Sequence, residues 1–542
     1  MKILFLNLPY KFNISRASRW PEKTKAGTLY YPYWLAYCAG VCEEKGIETK
    51  LVDCITREYS VEDMLAEVSR VNPDYIMAEI TTSTCFYDYE TINAIKKQNH
   101  NIKIIIGGTH ASILPEQVLK ECEAIDYVVR KEYDFTVPEI IFTESNAANN
   151  DNKGDISNIQ GISYRISNDI GEGIDTAIDG VADDLGDSVD TAISGVADNV
   201  DSDKNDDVNV VDNSNLNENE QIVHTPDRIP LENLDELPFV SKVYQKFLNV
   251  NDYAYAFAQK PMIQIVSARG CPNKCDFCSY PSTMGGRLFR TRSTKNLVDE
   301  IEYILNEMPE IKEIFIEDDT FTVNNERVIE FCDEIINRGL KPIWSCNTRV
   351  DLPYKVMKKM KAAGCRLLVT GYESGSQKVL DEIKKGITLQ QSLDFAKNTK
   401  KLKIKVFGCF MIGLRGDNLD TINETFEFAK KVYPDMCFFQ QAVPFPGTEF
   451  YNWVKKEGYL ITEDYSKWLN EDGYLDCLVN YPYASAREIE KIRDNLMSKY
   501  YFSFTYIFKT FLSNLDWMEF KRVLRGGYSY IAFRLKKLLK HH

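Results

Sequence analysis

Long apolar runs are absent from this chain of 542 residues. None approaches the roughly 18 consecutive apolar residues that a membrane-crossing helix needs, which excludes a channel or transporter built of such helices. The first residues, MKILFLNLPYKF, also lack a cleavable signal pattern. The expected location is therefore cytoplasmic, with room for contact at a membrane surface but no crossing. Cysteine pairs of the kind that frame a secreted disulfide domain are missing as well. Most of the 14 cysteines stand singly in strand-like or helix-like segments (Cys38, Cys42, Cys332, Cys365, Cys409), where reduced enzymes use them as small buried hydrophobes. Basic residues are scarce in one stretch only. Residues 169–220 hold 16 acids and a single base, Lys204, so this segment alone accounts for the formal net charge of −15. The remainder is close to neutral, and no general acidic surface is implied.

What is present amounts to two to four globular domains in 62.4 kDa. Over the first 140 residues, strand signals (2–9, 49–54, 74–82, 102–110, 126–132) alternate with helical patterns that begin near Tyr33, Ser60, Cys85 and Pro115. This alternation predicts a doubly wound, Rossmann-like parallel sheet, with ligands beyond the carboxyl ends of the strands. No G-x-G-x-x-G follows the first strand, which argues against a dinucleotide site. The segment NIQGISYRISND reads as a hairpin. After it, DTAIDGVAD recurs as DTAISGVAD in an acidic stretch with almost no aromatic residues, a composition of disorder or of short amphipathic helices. From residue 260, six strand-like segments recur, each followed by a helical pattern: MIQIVSARG, EIFIEDDTF, PIWSCNTRV, RLLVTGYESG, KVFGCFMIGL and MCFFQQAVPFPGT. Repeated βα units with polar residues at the strand ends predict a partial (β/α)6 TIM-type barrel whose chemistry lies on that face.

At the first of those ends stands CPNKCDFC, which puts Cys271, Cys275 and Cys278 within eight residues. A structural zinc site takes four ligands, and here one would be missing. Three thiolates on a cluster of four irons leave one iron open to a substrate or cofactor. The stretch, with the aromatic Phe277 before its last cysteine, resembles the Cys-x-x-x-Cys-x-aromatic-Cys motif of the radical S-adenosylmethionine (SAM) superfamily. The resemblance implies a [4Fe–4S] cluster on the three cysteines that chelates SAM and cleaves it to methionine and a 5′-deoxyadenosyl radical. It also implies SAM contacts at Asp318 and Asp319 in EDDTF, at Glu373 and Ser374 in GYESGS, and at Gly413 in FMIGLRG. In the last motif Arg415 replaces the usual proline.

Ahead of such a barrel, the amino-terminal domain looks like the cobalamin-binding domain of the B12-dependent branch. The resemblance rests on NLP at 7–9, ITTST at 80–84 and GGTHAS at 107–112. It implies cobalamin contacts at Pro9, Thr81, Thr82, Ser83, Gly107, Gly108, His110 and Glu132. His110 is read as a hydrogen-bonding group ahead of a cobalt ligand. The Asp-x-His-x-x-Gly motif of other B12 proteins is absent, and Lys131-Glu132 stands where Gly-Glu is usual. Within the barrel, GGRLFRTRS, WSCNTRVD and PFPGTEFY look most like the hopanoid-biosynthesis-associated radical SAM proteins, which implies a lipid-linked or hydrophobic substrate. A reductant such as ferredoxin or flavodoxin is then the expected partner.

The resulting organisation is a cobalamin-type domain (1–143), a hairpin with the acidic insert (144–225), a linker (226–259), the barrel (260–460) and a helical, basic and aromatic carboxyl-terminal region (461–542). Beyond Glu519 this region has seven Lys or Arg and no acid, which suits either an anionic bilayer or a helical cap on the barrel. Two other functions compete: a methylthiotransferase acting on RNA or protein, and a non-catalytic iron–sulfur electron carrier. The scattered Cys38, Cys42, Cys54, Cys85 and Cys122 form no second triad of the kind a methylthiotransferase carries, and no basic strand-rich tail for nucleic acid is present.

Overall fold

The structure, a computed structural model, describes residues 1–19, 21–23, 28–149, 155–167, 220–255 and 257–513. The acidic repeats and the basic end of the carboxyl-terminal region lie outside these residues.

The amino-terminal sheet contains strands β1 (Lys2–Asn7), β2 (Glu48–Asp53), β3 (Tyr75–Glu79), β4 (Lys103–Gly107), β5 (Tyr127–Val129), β6 (Ile162–Ser167) and β7 (Glu220–His224). Their order is β2-β1-β3-β4-β5-β6-β7, with the first five strands parallel. Alternation along β1 explains why both faces are covered. Ile3 and Phe5 enter one apolar cluster with Tyr37 and Cys38, whereas Leu4 and Leu6 enter another with Val52 and Ile92. The strand order reverses between β1 and β3, so the loops after these strands splay apart and leave a crevice. The stretch read as a hairpin supplies only β6. Its antiparallel partner β7 follows the acidic insert, which therefore lies in the connection of a long hairpin.

The second sheet has six parallel strands: β8 (Met262–Ile265), β9 (Glu313–Ile316), β10 (Trp344–Thr348), β11 (Cys365–Glu373), β12 (Lys405–Ile412) and β13 (Met436–Gln441). They are paired in sequence order from β8 to β13, with no pairing between the two ends, so the barrel is open. All six segments read from the sequence form these strands. The amino-terminal domain contributes to the open side. In segment 8–32, between β1 and helix Tyr33–Glu44, the described residues near its end cross toward the barrel: Leu29 bridges to Ala254, just ahead of β8. The Tyr31 amide donates to Gln264 Oε1 (2.9 Å), its hydroxyl donates to the Met262 carbonyl (2.9 Å), and its ring stacks on Tyr253 at 3.9 Å. At the far end, helix Ala486–Tyr501 packs on β13, in the manner of a cap.

A buried charge network joins the two domains. Arg269, just after β8, donates to both oxygens of Asp134 (2.6 and 3.1 Å) and to Glu132 (3.3 Å), and its guanidinium lies 4.6 Å from the Trp34 ring centroid. Arg290 closes on the same Glu132 at 3.0 Å. Removing one partner of such a network leaves an uncompensated buried charge, which costs about 3–5 kcal/mol. Arg269→Met is expected to lower the unfolding free energy by about that amount. Urea denaturation followed by tryptophan fluorescence checks this, since Trp34 lies in the network.

Candidate active site

The loop after β8 carries the three clustered cysteines. Gly270 opens it with φ +86°, and a Cβ there would lie 2.1 Å from the Leu288 carbonyl oxygen, so only glycine allows the chain to turn this closely under residues 285–288. Asp318 fixes the start of the loop. Its carboxylate accepts from the Ser267 amide (2.6 Å), the Ser267 hydroxyl (2.5 Å) and the Ala268 amide (2.9 Å), all buried. These bonds take three of its roughly four acceptor sites, and Asp318 thereby ties β8 to β9. Its neighbour Asp319 is the carboxylate on the open side.

Cys271, Cys275 and Cys278 are free and partly exposed, whereas ten of the other eleven cysteines are buried. Cys271 Sγ accepts from Asn273 Nδ2 (3.3 Å) and lies 3.9 Å from Thr320 Oγ1. Burial raises the Cys275 thiol and pushes the Cys278 thiol up to about 12, with Arg19 opposing the latter. Both are therefore protonated thiols until a metal displaces the protons. Among the described residues no three His, Cys, Asp or Glu side chains converge as they would around a single ion. Three free thiols on one exposed loop fit the donor set of a cluster that occupies the space between them. Phe277 sits in this loop, half-buried against the core.

The remaining strand ends supply charges of both signs. Glu373, at the end of β11, has φ +60° and accepts from Lys385 Nζ at 2.7 Å within the protein interior. Ser374 Oγ lies 3.1 Å from Thr425 Oγ1 and accepts from the Ser376 amide, so it shapes the turn. Gly413, with φ +76°, offers its carbonyl to the Tyr481 hydroxyl. Inside the barrel, Glu317 accepts from Gln264 Nε2 (2.9 Å) and Asn347 Nδ2 (3.3 Å), and burial pushes its carboxyl up to about 7. The Glu373–Lys385 pair is close enough to Cys275 for both charges to act on its thiol, and Asp319 adds a further carboxylate beside Arg19.

Arg19 brings the two domains together at this point. It comes from the crossing segment 8–32, donates to the Asp319 carbonyl and carboxylate (both 3.3 Å), and lies 4.9 Å from the Tyr280 ring centroid. Neither Arg19, Lys385 nor Glu317 was marked by the sequence reading. Arg19 belongs to no motif, and its role depends on a contact 300 residues away in the chain.

The rim expected for cobalamin lies directly across from the cysteine loop. A narrow crevice, with free space for about one water molecule, is lined by Arg19, Thr82, His110, Ser279, Tyr280 and Phe445, among others. One wall is the rim after β3 and β4. The other begins at the residue after Cys278. In the rim, Ser83 donates to the Pro21 carbonyl (2.6 Å), and Thr81 Oγ1 lies 3.0 Å from Thr84 Oγ1. Gly108, with φ +101°, would place a Cβ 2.6 Å from the Ile80 carbonyl oxygen, and a Cβ on Gly107 would strike Met77 and the Tyr133 ring. Both glycines thus serve close packing between β3 and β4. Pro9 follows β1 at the same edge of the sheet and is buried. Glu132 does not line this cleft: its carboxylate is held by Arg269 and Arg290, because the fifth strand ends against the barrel.

His110 is 1% exposed, its Nδ1 lies 3.3 Å from Thr82 Oγ1, and its Nε2 has no partner in the protein. An unpartnered buried imidazole nitrogen bordering a cleft fits a bound polar group there. Burial lowers the imidazole to about 3, so it is neutral at physiological pH.

Residues 265–429 match the radical SAM superfamily, and residues 23–141 match the B12 binding domain. An uncharacterized methyltransferase of Pyrococcus horikoshii is 28% identical over 530 residues, 97% of this chain and 98% of that one. The anaerobic magnesium-protoporphyrin IX monomethyl ester cyclase of Rubrivivax gelatinosus is 25% identical over 83% of this chain and 69% of its own. Hopanoid C-3 methylase of Methylococcus capsulatus matches over 38% of each chain at 29% identity. Among solved structures, the radical S-adenosylmethionine methyltransferase TsrM from Kitasatospora setae shares the fold with a TM-score of 0.59 and 14% identity, over 85% of this chain and 77% of that one.

A buried imidazole that stays neutral has a pH signature. The unfolded chain protonates this side chain near pH 6.5 whereas the folded one does not, so stability is lost as pH falls below about 6.5. Between pH 6.5 and 5.5 His110 is expected to account for about 1 kcal/mol of that loss. His110→Gln should remove this part of the slope in urea titrations. With histidine-selective labelling, one of the five imidazole signals should remain neutral down to about pH 4.

Proposed function

We propose that this chain, whose residues 265–429 match the radical SAM superfamily and residues 23–141 the B12 binding domain, forms a carbon–carbon bond on a hydrophobic or lipid-linked metabolite, by methyl transfer to an unactivated carbon. The observation that carries this reading is the cleft in which the rim after β3 and β4 faces the residue after Cys278. Cofactors held behind these two walls would meet a substrate carbon from opposite sides. When bound, the cluster and SAM supply one-electron cleavage and hydrogen abstraction, and cobalamin supplies a transferable methyl group.

The protein's residues have definable tasks in this scheme. Cys271, Cys275 and Cys278 hold the cluster. Asp319, with the Glu373–Lys385 pair, orients the methionyl part of SAM through charge. Thr82 fixes the His110 ring so that Nε2 addresses the cobalamin side. The aromatic and apolar walls at Tyr280 and Phe445 keep bulk water from the reacting carbon. Ferredoxin or flavodoxin is the proposed electron donor. A methylthiotransferase is disfavoured because Cys38, Cys42, Cys54, Cys85 and Cys122 are all buried in the first domain and offer no second set of ligands. A simple electron carrier is disfavoured by the charged pair beside the cysteine loop, for which a carrier has no use.

The test is anaerobic reconstitution with iron, sulfide, cobalamin, reductant and SAM. Methyl transfer predicts that both 5′-deoxyadenosine and S-adenosylhomocysteine accumulate. Deoxyadenosine alone would replace methylation with cyclisation or rearrangement. Cys275→Ala should abolish deoxyadenosine, and a variant that still makes it at the parental rate would sink the reading.

A further inference from the structure

The carboxyl-terminal side of the barrel carries an exposed apolar face that the catalytic reading does not use. Helix Phe504–Ser513 is anchored through its first turn. Tyr506 is 9% exposed, its ring sits 4.8 Å from that of Tyr501 and 5.4 Å from that of Tyr500, and its hydroxyl donates to the Asp435 carbonyl (3.2 Å). Tyr433 donates to the Thr505 carbonyl at 3.1 Å. These contacts hold the helix against the start of β13 and fix which side turns outward.

On the outward side, Phe504 is 81% exposed, Ile507 54% and Phe508 52%, with Phe502 just before them at 55%. Positions 504, 507 and 508 share one helical face. The rings of Phe504 and Phe508 stack at 5.8 Å, which makes the patch continuous. Of the 13 large hydrophobic residues exposed in the described chain, four fall within these seven positions. Such clustering separates a binding surface from scattered exposed side chains.

The sequence that follows gives the partner's charge. Residues 520–542 carry seven Lys or Arg and no acid, in a chain whose net charge is −15. A partner that takes both features must be anionic and able to receive aromatic and branched apolar side chains. We propose that this face and the basic residues after it dock on an anionic lipid bilayer, with the phenylalanines at the level of the headgroups and the cations over the acidic lipids. Most of the chain's negative charge is confined to residues 169–220, and its repulsion is screened beyond roughly 8 Å at physiological salt. Contact is thereby limited to this one end. The chain's own acidic segment 169–220 matches the cations but holds no aromatic residue with which to cover the phenylalanines. This inference does not depend on which reaction the cleft performs.

The test is flotation of the full-length protein with phosphatidylcholine vesicles, with and without about one third phosphatidylglycerol. Binding is expected to be at least roughly tenfold stronger to the anionic vesicles and to weaken as salt rises. The triple variant Phe504→Ser, Ile507→Ser, Phe508→Ser should lower it roughly tenfold with an unchanged far-ultraviolet circular dichroism spectrum. Lys521→Gln, Arg522→Gln, Arg525→Gln should reduce the preference for anionic over neutral vesicles. No binding, or equal binding to both vesicle types, overturns the proposal. So does a concentration-dependent dimer, seen by sedimentation without vesicle binding and abolished by the serine variant, which would assign the face to a second copy. Binding that appears only when residues 169–219 are deleted would assign it to the chain's own acidic segment.

Discussion

Arg269 is the constraint on which the rest depends. It lies two residues before Cys271 and is gripped by two carboxylates from the other domain, Asp134 and Glu132. A buried guanidinium cannot shed its charge, so it must keep these partners or leave the interior. The cysteine loop is therefore positioned by the amino-terminal sheet as much as by its own strand. Arg290 engages the same Glu132 and braces the chain on the other side of the loop.

Much of the fold was legible because its signals are local. Alternation of strand and helix patterns gave the β1–β5 order of elements and all six barrel strands, since apolar runs flanked by turn residues are read without knowledge of neighbours. The cysteine loop was legible for the same reason: spacing within eight residues carries the chemistry. The pairing of β6 with β7 was hidden, because the partner strand stands beyond the acidic insert and only the folded sheet brings them together.

The site was legible in its motifs but not in the direction of each side chain. EDDTF marks a strand end, yet burial separates its carboxylates: Glu317 points into the barrel, Asp318 clamps the strand before the loop and Asp319 meets Arg19. The Lys131-Glu132 departure from the usual Gly-Glu acquires a physical reason, since Glu132 is committed to two arginines of the barrel. Arg19 and Lys385 were missed because each acts through a partner that no short pattern contains.

The crossing segment 8–32 also has a consequence for biosynthesis. The Tyr31 amide finds its acceptor, Gln264, 233 residues later in the chain. At a synthesis rate of about 5–20 residues per second, that acceptor emerges roughly 10–50 seconds after its partner. During this interval the amino-terminal sheet can form and Arg16 and Pro21 find their partners within that domain, but the Tyr31 amide has no acceptor yet. The order of the two domains in the chain thus makes the ribosome's pace part of how the first domain docks on the barrel.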